Sequence, residues 1–290
     1  MDDQDYRFLT DLYKMRNITK VAQLHYLSQP AMTKRIRHME NELGCQLILR
    51  SKKGVTFTFA GELVIKYCTE MMRLREELRD TICHLQGTVG GSLSIGSSLN
   101  YSRYRLPSAL RTYQERYPLV EIDVSTGHSD RLRQLLLDNR ISVAIVRGKQ
   151  MWTEGSILLS KEPVCVVCNA QNSGRPLQEY PYIGHHTEGD LAQLTEQWLI
   201  EHGLSPEPKL WIDDIASCRE MAAKGVGWTI IPNICLEGFQ GDIIPLMLQD
   251  GTAVERETYI LYRTSHIQLQ QVKCFIDILM DNERLYTQAC

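Results

Sequence analysis

Residues 28–39 read Ser-Gln-Pro-Ala-Met-Thr-Lys-Arg-Ile-Arg-His-Met, long hydrogen-bond donors set among apolar residues at helical spacing. Ala31, Ile36, Met39 and Leu43 fall near one helix face, which leaves Thr33, Lys34 and Arg37, with Arg35 and His38 further round, for a polar face. Ammonium and guanidinium groups lined up in this way can pair with phosphates and base edges, which is recognition chemistry. Pro30 suits a first helical turn, where its missing N–H would be unpaired anyway, and Ser28 or Gln29 can supply a capping oxygen. Upstream, residues 19–26 read as a shorter helix, with a turn near Leu27 and Ser28. A short helix, a turn and a helix with a basic face make the helix-turn-helix pattern, whose second helix enters the DNA major groove.

A second group of polar residues stands where strands run out into helices. Leu93-Ser-Ile-Gly96 is followed by Ser97, Ser98, Asn100, Tyr101 and Ser102, and the strand at 120–125 leads to Gly127-His128-Ser129. The apolar strand at 143–146 ends on Arg147, and Tyr182-Ile183-Gly184 leads to His185-His186-Thr187. Open α/β sheets bind ligands outside the carboxyl ends of their strands, and helix starts with hydroxyls nearby favour anions.

The elements that must carry these groups can be read along the chain. Residues 5–16 space Tyr6, Leu9, Leu12 and Tyr13 as an amphipathic helix. Beyond Gly44, two short alternating runs flank Lys52, Lys53 and Gly54, which suggests a hairpin presenting Arg50, Lys52 and Lys53 to a phosphate backbone. Residues 62–86 lack Gly and Pro, and Val64, Tyr67, Met71, Leu74, Leu78, Thr81 and Leu85 recur in steps of three and four, the seam of a dimerising coiled coil. Gly87, Gly90 and Gly91 then read as a hinge. Strand–helix alternation follows to the end, arguing for βαβ units, a mostly parallel sheet and a final helix near 268–284.

Composition agrees with this division. The 290 residues carry a net charge of −3, yet residues 1–60 hold ten Lys and Arg against six Asp and Glu. A basic N-terminal unit on an acidic body fits a DNA-contacting module joined to something else. Nine scattered cysteines, an acidic start and the lack of any long apolar run make a reducing cytoplasm the expected setting, with no membrane partner.

With these residues in place, the chain resembles the LysR-type transcriptional regulators. The resemblance rests on Ser28-Gln29-Pro30 with Thr33, on Glu40 with Leu43-Gly44, and on Thr58 with Ala60-Gly61. Looser matches follow at Leu93–Gly96, Arg116-Tyr117-Pro118 and residues 225–232, in order along essentially the whole chain. Val21 stands where the family usually has Ala, and Ile48-Leu49 where it has Phe and an acid, both at packing positions.

The resemblance implies an α/β protein with an N-terminal, α-rich winged helix-turn-helix and a C-terminal, two-lobed effector domain similar to periplasmic binding proteins. The expected divisions are a DNA-binding domain at 1–61, a linker dimerisation helix at 62–87, a hinge at 88–91 and an effector domain at 92–290. Lobe I would take about 92–161 and 265–290, and lobe II about 162–264. Matching to the family places Gln29, Pro30, Thr33, Lys34 and Arg37 in the groove, with Arg50, Lys52 and Lys53 on the backbone. It also brings Ser98, Asn100, Tyr101, Ser129, Arg147, His185 and Thr187 towards an interlobe cleft for a small organic effector. Donors from both lobes and an arginine suggest a carboxylate or other anion. The implied partners are double-stranded promoter DNA, the effector and further copies of the chain, in dimers paired into homotetramers. No cofactor, metal or enzymatic activity is expected.

Other patterns point elsewhere and are weaker. Cys165 and Cys168 sit three apart in a strand and so point to opposite faces. Cys218 and Cys235 are the candidates for a redox pair, against the usual role of dispersed cysteines as small buried hydrophobes. The competing reading is an architectural DNA-binding protein whose C-terminal body only oligomerises.

Overall fold

A computed structural model describes residues 1–51, 54–85, 88–187 and 190–289. The chain divides into two units, Met1–Gln86 and Gly87–Cys290.

The first unit contains α1 (Asp3–Met15), α2 (Ile18–Leu24), α3 (Gln29–Leu43), the hairpin β1 (Ile48–Ser51) and β2 (Gly54–Phe57), and α4 (Phe59–Leu85). Each short helix starts on a side-chain cap. Asp2 and Asp5 form a capping box on α1, Asn17 accepts from the Lys20 N–H, and Ser28 accepts from the Ala31 N–H. Phe8, Leu9 and Leu12 pack with Val21 and Ala22, with Met32, Ile36 and Met39 of α3, and with Leu47, Ile48, Val55 and Phe57 of the hairpin. The buried stripe of α3 thus starts at Met32. Ala31 and Leu43, expected inside, are exposed, because the long thioether at 32 reaches the core that a methyl at 31 would leave unfilled.

Two family signatures have physical explanations in this unit. The Glu40 carboxylate accepts from the Leu47 and Ile48 N–H groups at 2.9 and 3.2 Å and ties α3 to the hairpin. Thr58 accepts from the Gly61 N–H at 3.0 Å, and a Cβ on Gly61 would lie 2.1 Å from the Leu47 carbonyl oxygen, so no larger residue fits.

Arg35 leaves the polar face of α3 to bind α1. Its Nε donates to Asp5 at 2.6 Å, its Nη2 to Asp2 at 2.8 Å, and its guanidinium lies 4.8 Å from the Phe8 ring centroid. Replacing it should loosen the recognition helix. Arg35→Ala is expected to destabilise this unit by about 2 kcal/mol, the scale of charge-assisted hydrogen bonds to a buried carboxylate such as Asp5. Denaturant unfolding followed by helical circular dichroism would read it, and an unchanged midpoint would contradict the role given to Arg35.

At about 1.5 Å per residue, the 27 residues of α4 form a long rod. It begins at Phe59, three residues ahead of the expected 62. Val64 packs on the core, whereas Tyr67, Met71, Leu74 and Leu78 remain exposed as one apolar seam. The side chains of Thr81 and Leu85 lie outside the described residues.

The second unit opens with β3 (Gly91–Ser98), α5 (Leu99–Tyr104), α6 (Leu106–Arg116), β4 (Val120–Gly127), α7 (Ser129–Leu137) and β5 (Val143–Arg147). It continues through β6 (Gly155–Asn169), β7 (Tyr182–Gly184), α8 (Asp190–Glu201), β8 (Leu210–Trp211), α9 (Ile215–Ala223), β9 (Trp228–Pro232) and β10 (Gly241–Pro245). It closes with β11 (Glu255–Tyr262) and α10 (Gln270–Ala289). Strand order is β4-β3-β5-β11-β6-β9-β7-β8, with β10 beside β6.

The sheet departs from the mostly parallel expectation. Pairing is parallel among β3, β4 and β5 and among β7, β8 and β9, but β5–β11, β11–β6, β6–β9 and β6–β10 are antiparallel. The first half of β6 pairs with β11 and its second half with β9 and β10, so it passes from lobe I into lobe II. A division at 161/162 therefore cuts a continuous strand. After β3 the chain forms the short α5 and then α6, which has Pro107 in its first turn. Leu93, Ile95, Tyr101, Tyr113 and Phe275 pack lobe I, and Val166, Leu191, Trp198 and Trp228 pack lobe II.

Candidate DNA-reading face and ligand cleft

On α3, Gln29, Thr33 and Arg37 stand four residues apart, and Pro30 and Lys34 form the next row, so the five share one side of the helix. Gln29, Pro30, Lys34 and Arg37 are exposed, and Thr33 is half-buried. Arg50, on β1, donates from Nη1 to the Thr33 hydroxyl at 3.3 Å, which brings β1 to the edge of this face. Lys52 and Lys53 lie outside the described residues. In the turn before α3, Tyr26 is 97% exposed at φ +56°, a left-handed conformation unusual for a bulky residue. Nothing in the sequence singled it out.

In the second unit, the register sets the carboxyl ends of β3 and β4 side by side, with Ser98 opposite Gly127. A cavity of about 130 Å3 opens there, smaller than the roughly 300–1,000 Å3 typical of drug-sized sites. Lobe I contributes Ser98, Leu99, Asn100, His128, Ser129 and Arg147 to its wall. Lobe II contributes His185, Thr187, Leu191, Asp213, Asp214 and Ile215.

Six of the seven expected cleft residues thus come together, and Tyr101 does not. Its ring is 1% exposed within the lobe I core, because one helical step beyond Asn100 turns the side chain away from the cavity. Several others are engaged inside the protein. The Ser129 hydroxyl accepts from the Arg147 N–H at 3.0 Å, and the His185 Nε2 lies 2.8 Å from the Ile230 carbonyl. Arg147 is almost fully buried, donates to the Thr258 hydroxyl at 2.8 Å and is ion-paired with Glu162. The other Glu162 oxygen accepts from the Ile234 N–H in lobe II. The guanidinium expected to meet an anion is therefore neutralised within the protein.

What remains open is mostly neutral. Ser98 is 5% exposed, and its hydroxyl has no hydrogen-bond partner. Serine preceding a helix usually caps it, yet Ser98 makes no cap bond on α5. An unsatisfied buried hydroxyl costs about 1–3 kcal/mol, which a bound acceptor would recover. Sequence reading missed Asp213 and Asp214, although Trp211-Ile-Asp-Asp214 is another strand end entering a helix, the signal that located Ser98. Asp214 caps α9 through the Ser217 N–H, and its hydrogen bonds from Ser217 and Ala216 hold its carboxyl below the usual carboxylate range against the opposing effect of burial.

Cys165, Cys168, Cys218 and Cys235 are buried in the second unit. Burial pushes the Cys218 thiol up to about 11 and the Cys235 thiol up to about 12, so both stay protonated and unreactive near neutral pH. Cys165 and Cys168 belong to different core clusters, on opposite faces of β6. Among the described residues no group of three or more His, Cys, Asp or Glu could hold a metal ion, and no helix is long and apolar enough to cross a membrane.

A winged helix-turn-helix on one unit and a two-lobed α/β body with an interlobe cavity on the other define a ligand-responsive DNA-binding regulator. Residues 4–62 match the model of the bacterial regulatory helix-turn-helix protein, lysR family, and residues 86–284 match the LysR substrate binding domain. The chain belongs to the LysR family of transcriptional regulators. It is 30% identical over 283 residues to the HTH-type transcriptional regulator YraN of Bacillus subtilis, covering 96% of this chain and 97% of that one. Among solved structures, full-length CbnR complexed with its target DNA superposes with a TM-score of 0.69 at 16% identity, covering 97% of this chain and all of that one. A full-length OxyR variant from Pseudomonas aeruginosa gives 0.65 at 17% identity, over 98% and 95% of the two chains. The protein is accordingly a DNA-binding transcriptional regulator with an effector-binding domain.

Proposed function

We propose that α3 reads promoter DNA through Gln29, Pro30, Thr33, Lys34 and Arg37, and that Arg50, Lys52 and Lys53 grip the phosphate backbone. The observation that carries this reading is the row of long polar side chains on α3, exposed opposite a fully buried stripe. Gln29 suits adenine, Lys34 and Arg37 suit guanine or phosphate, and Pro30 with the Thr33 methyl suits thymine methyls.

The exposed seam of Tyr67, Met71, Leu74 and Leu78 supports dimerisation through α4, with pairs of dimers forming a tetramer in the cytoplasm. A small organic molecule enters the cleft at Ser98, Asn100 and Thr187, near the start of α7 at Ser129, with Arg147 and His185 holding the wall. By preferring one arrangement of the lobes, it shifts which DNA geometry the assembly favours. A cavity holding an unpartnered buried hydroxyl speaks against a body that only oligomerises. No cofactor or catalytic step is invoked.

The test has two arms on the full-length protein. Selection of genomic duplexes should recover a defined operator. A thermal-shift screen of small metabolites should find a compound that stabilises the chain by mass action, by about 2.7 kcal/mol at a hundredfold excess over Kd. Recovery of an operator with no stabilising compound would favour the purely oligomerising body.

A further inference from the structure

The charge around the cleft is arranged against a simple anion. Arg147 is consumed by Glu162 and Thr258. Arg256, on the same wall, packs its guanidinium over Gly148 and donates to the Arg147 carbonyl at 3.3 Å. The acidic groups on the cleft wall come from lobe II. Asp214 is committed to its cap on α9 and lies 3.9 Å from Arg103. Its neighbour Asp213 is exposed at the cleft and forms no hydrogen bond or ion pair among the described residues.

Lobe I faces that carboxylate with neutral donors. The Ser98 hydroxyl is buried without a partner, the Asn100 carboxamide is half-buried, and the first turn of α7 has no side-chain cap from His128. Leu99, Leu191, Ile215 and Pro232 supply apolar wall between the two sides. The Ser98 hydroxyl and Asn100 carboxamide can donate or accept, while the α7 N–H groups only donate, so a molecule with an acceptor at one end and a cation at the other satisfies both sides.

We propose that the effector belongs to the amino-acid class: a small molecule whose protonated amine is held by Asp213 and whose carboxylate meets Ser98, Asn100 and the start of α7. The assignment rests on the cleft being the effector site. Its apolar walls favour an aliphatic side chain, and the volume of about 130 Å3 favours a short one.

The test is a thermal-shift series on the full-length protein at pH 7.5. The probes are the twenty common amino acids, each compared with its deaminated carboxylate and its decarboxylated amine. At least one amino acid should raise Tm, its two truncated analogues should bind at least tenfold more weakly, and Asp213→Asn should weaken the amino acid by a similar factor. Because Asp213 is exposed, the ligand-free Tm of D213N should match that of the parent. Stabilisation by carboxylates lacking an amine, lost in Ser98→Ala but kept in D213N, would overturn the amino-acid assignment while leaving the cleft in place. No response to any probe would overturn the assignment as well, and a response to other metabolites, abolished in Ser98→Ala, would still keep the cleft as the effector site.

Discussion

Lys34→Ala combined with Arg37→Ala is expected to weaken operator binding a hundredfold or more with no change in fold. Each side chain is exposed on α3, and neither has a hydrogen-bond or ion-pair partner among the described residues. Surface substitutions of this kind usually shift stability by less than about 0.5 kcal/mol. Each lost base contact costs about 1–3 kcal/mol, so two together reach a hundredfold. Measuring affinity across salt concentrations separates their roles. Loss of a phosphate contact lowers the slope of log K against log salt by about 0.9, whereas loss of a base contact weakens the operator and leaves the slope unchanged. Operator binding by the double variant equal to the parent, in a shift assay on soluble protein, would remove α3 as the reading element.

Arg147→Met should cost the C-terminal unit about 3–5 kcal/mol, because it strands the Glu162 carboxylate in a largely buried position. For a unit of this size the loss corresponds to a fall in Tm of roughly 10 °C. Pairing it with Glu162→Gln should restore most of the loss, since the amide oxygen can still accept from the Ile234 N–H while the uncompensated charge is gone. Calorimetry on the two variants decides the matter. If the single substitution leaves the transition in place, or the double one melts no higher than the single, the ion pair does not hold the unit together.

The two halves of the chain were legible to different degrees. The reading helix showed in the sequence because its signals are local: a cap at Ser28, a proline in the first turn and a stripe at helical spacing, all within sixteen residues. Even so, periodicity misjudged which side of Ala31 and Met32 the core would take. It also gave no hint that Arg35 would turn back to Asp2 and Asp5, a contact across thirty residues.

The cleft was legible as strand ends, and the sheet does align them. Hydrogen-bond commitments were not legible, because they depend on strands distant in sequence. Thr258 takes Arg147 from 111 residues away, and the Ile230 carbonyl fixes His185 from 45. Arg147 looked free in the sequence only because Glu162 and Thr258 belong to strands whose pairing the sequence does not state. The antiparallel pairing of β6 and β11 was missed for the same reason, since alternation of strands and helices reveals little about which distant strands meet.

Between the lobes β6 and β11 run as a bare two-stranded link, Lys161–Pro163 against Glu255–Glu257, since β5 joins β11 only from Thr258 and β9 and β10 join β6 only from Val164. The register of the pair slips by one residue between Thr258 and Tyr259, beside the point where Arg147 is anchored. A two-stranded ribbon resists sliding, because a slide breaks every rung of its ladder at once, yet it twists readily, and a bulge concentrates the twist locally. Twisting of one lobe against the other is expected to concentrate in this link, beside the bulge, rather than to spread through the packed sheets on either side. A molecule bridging the lobes would then act chiefly on that twist.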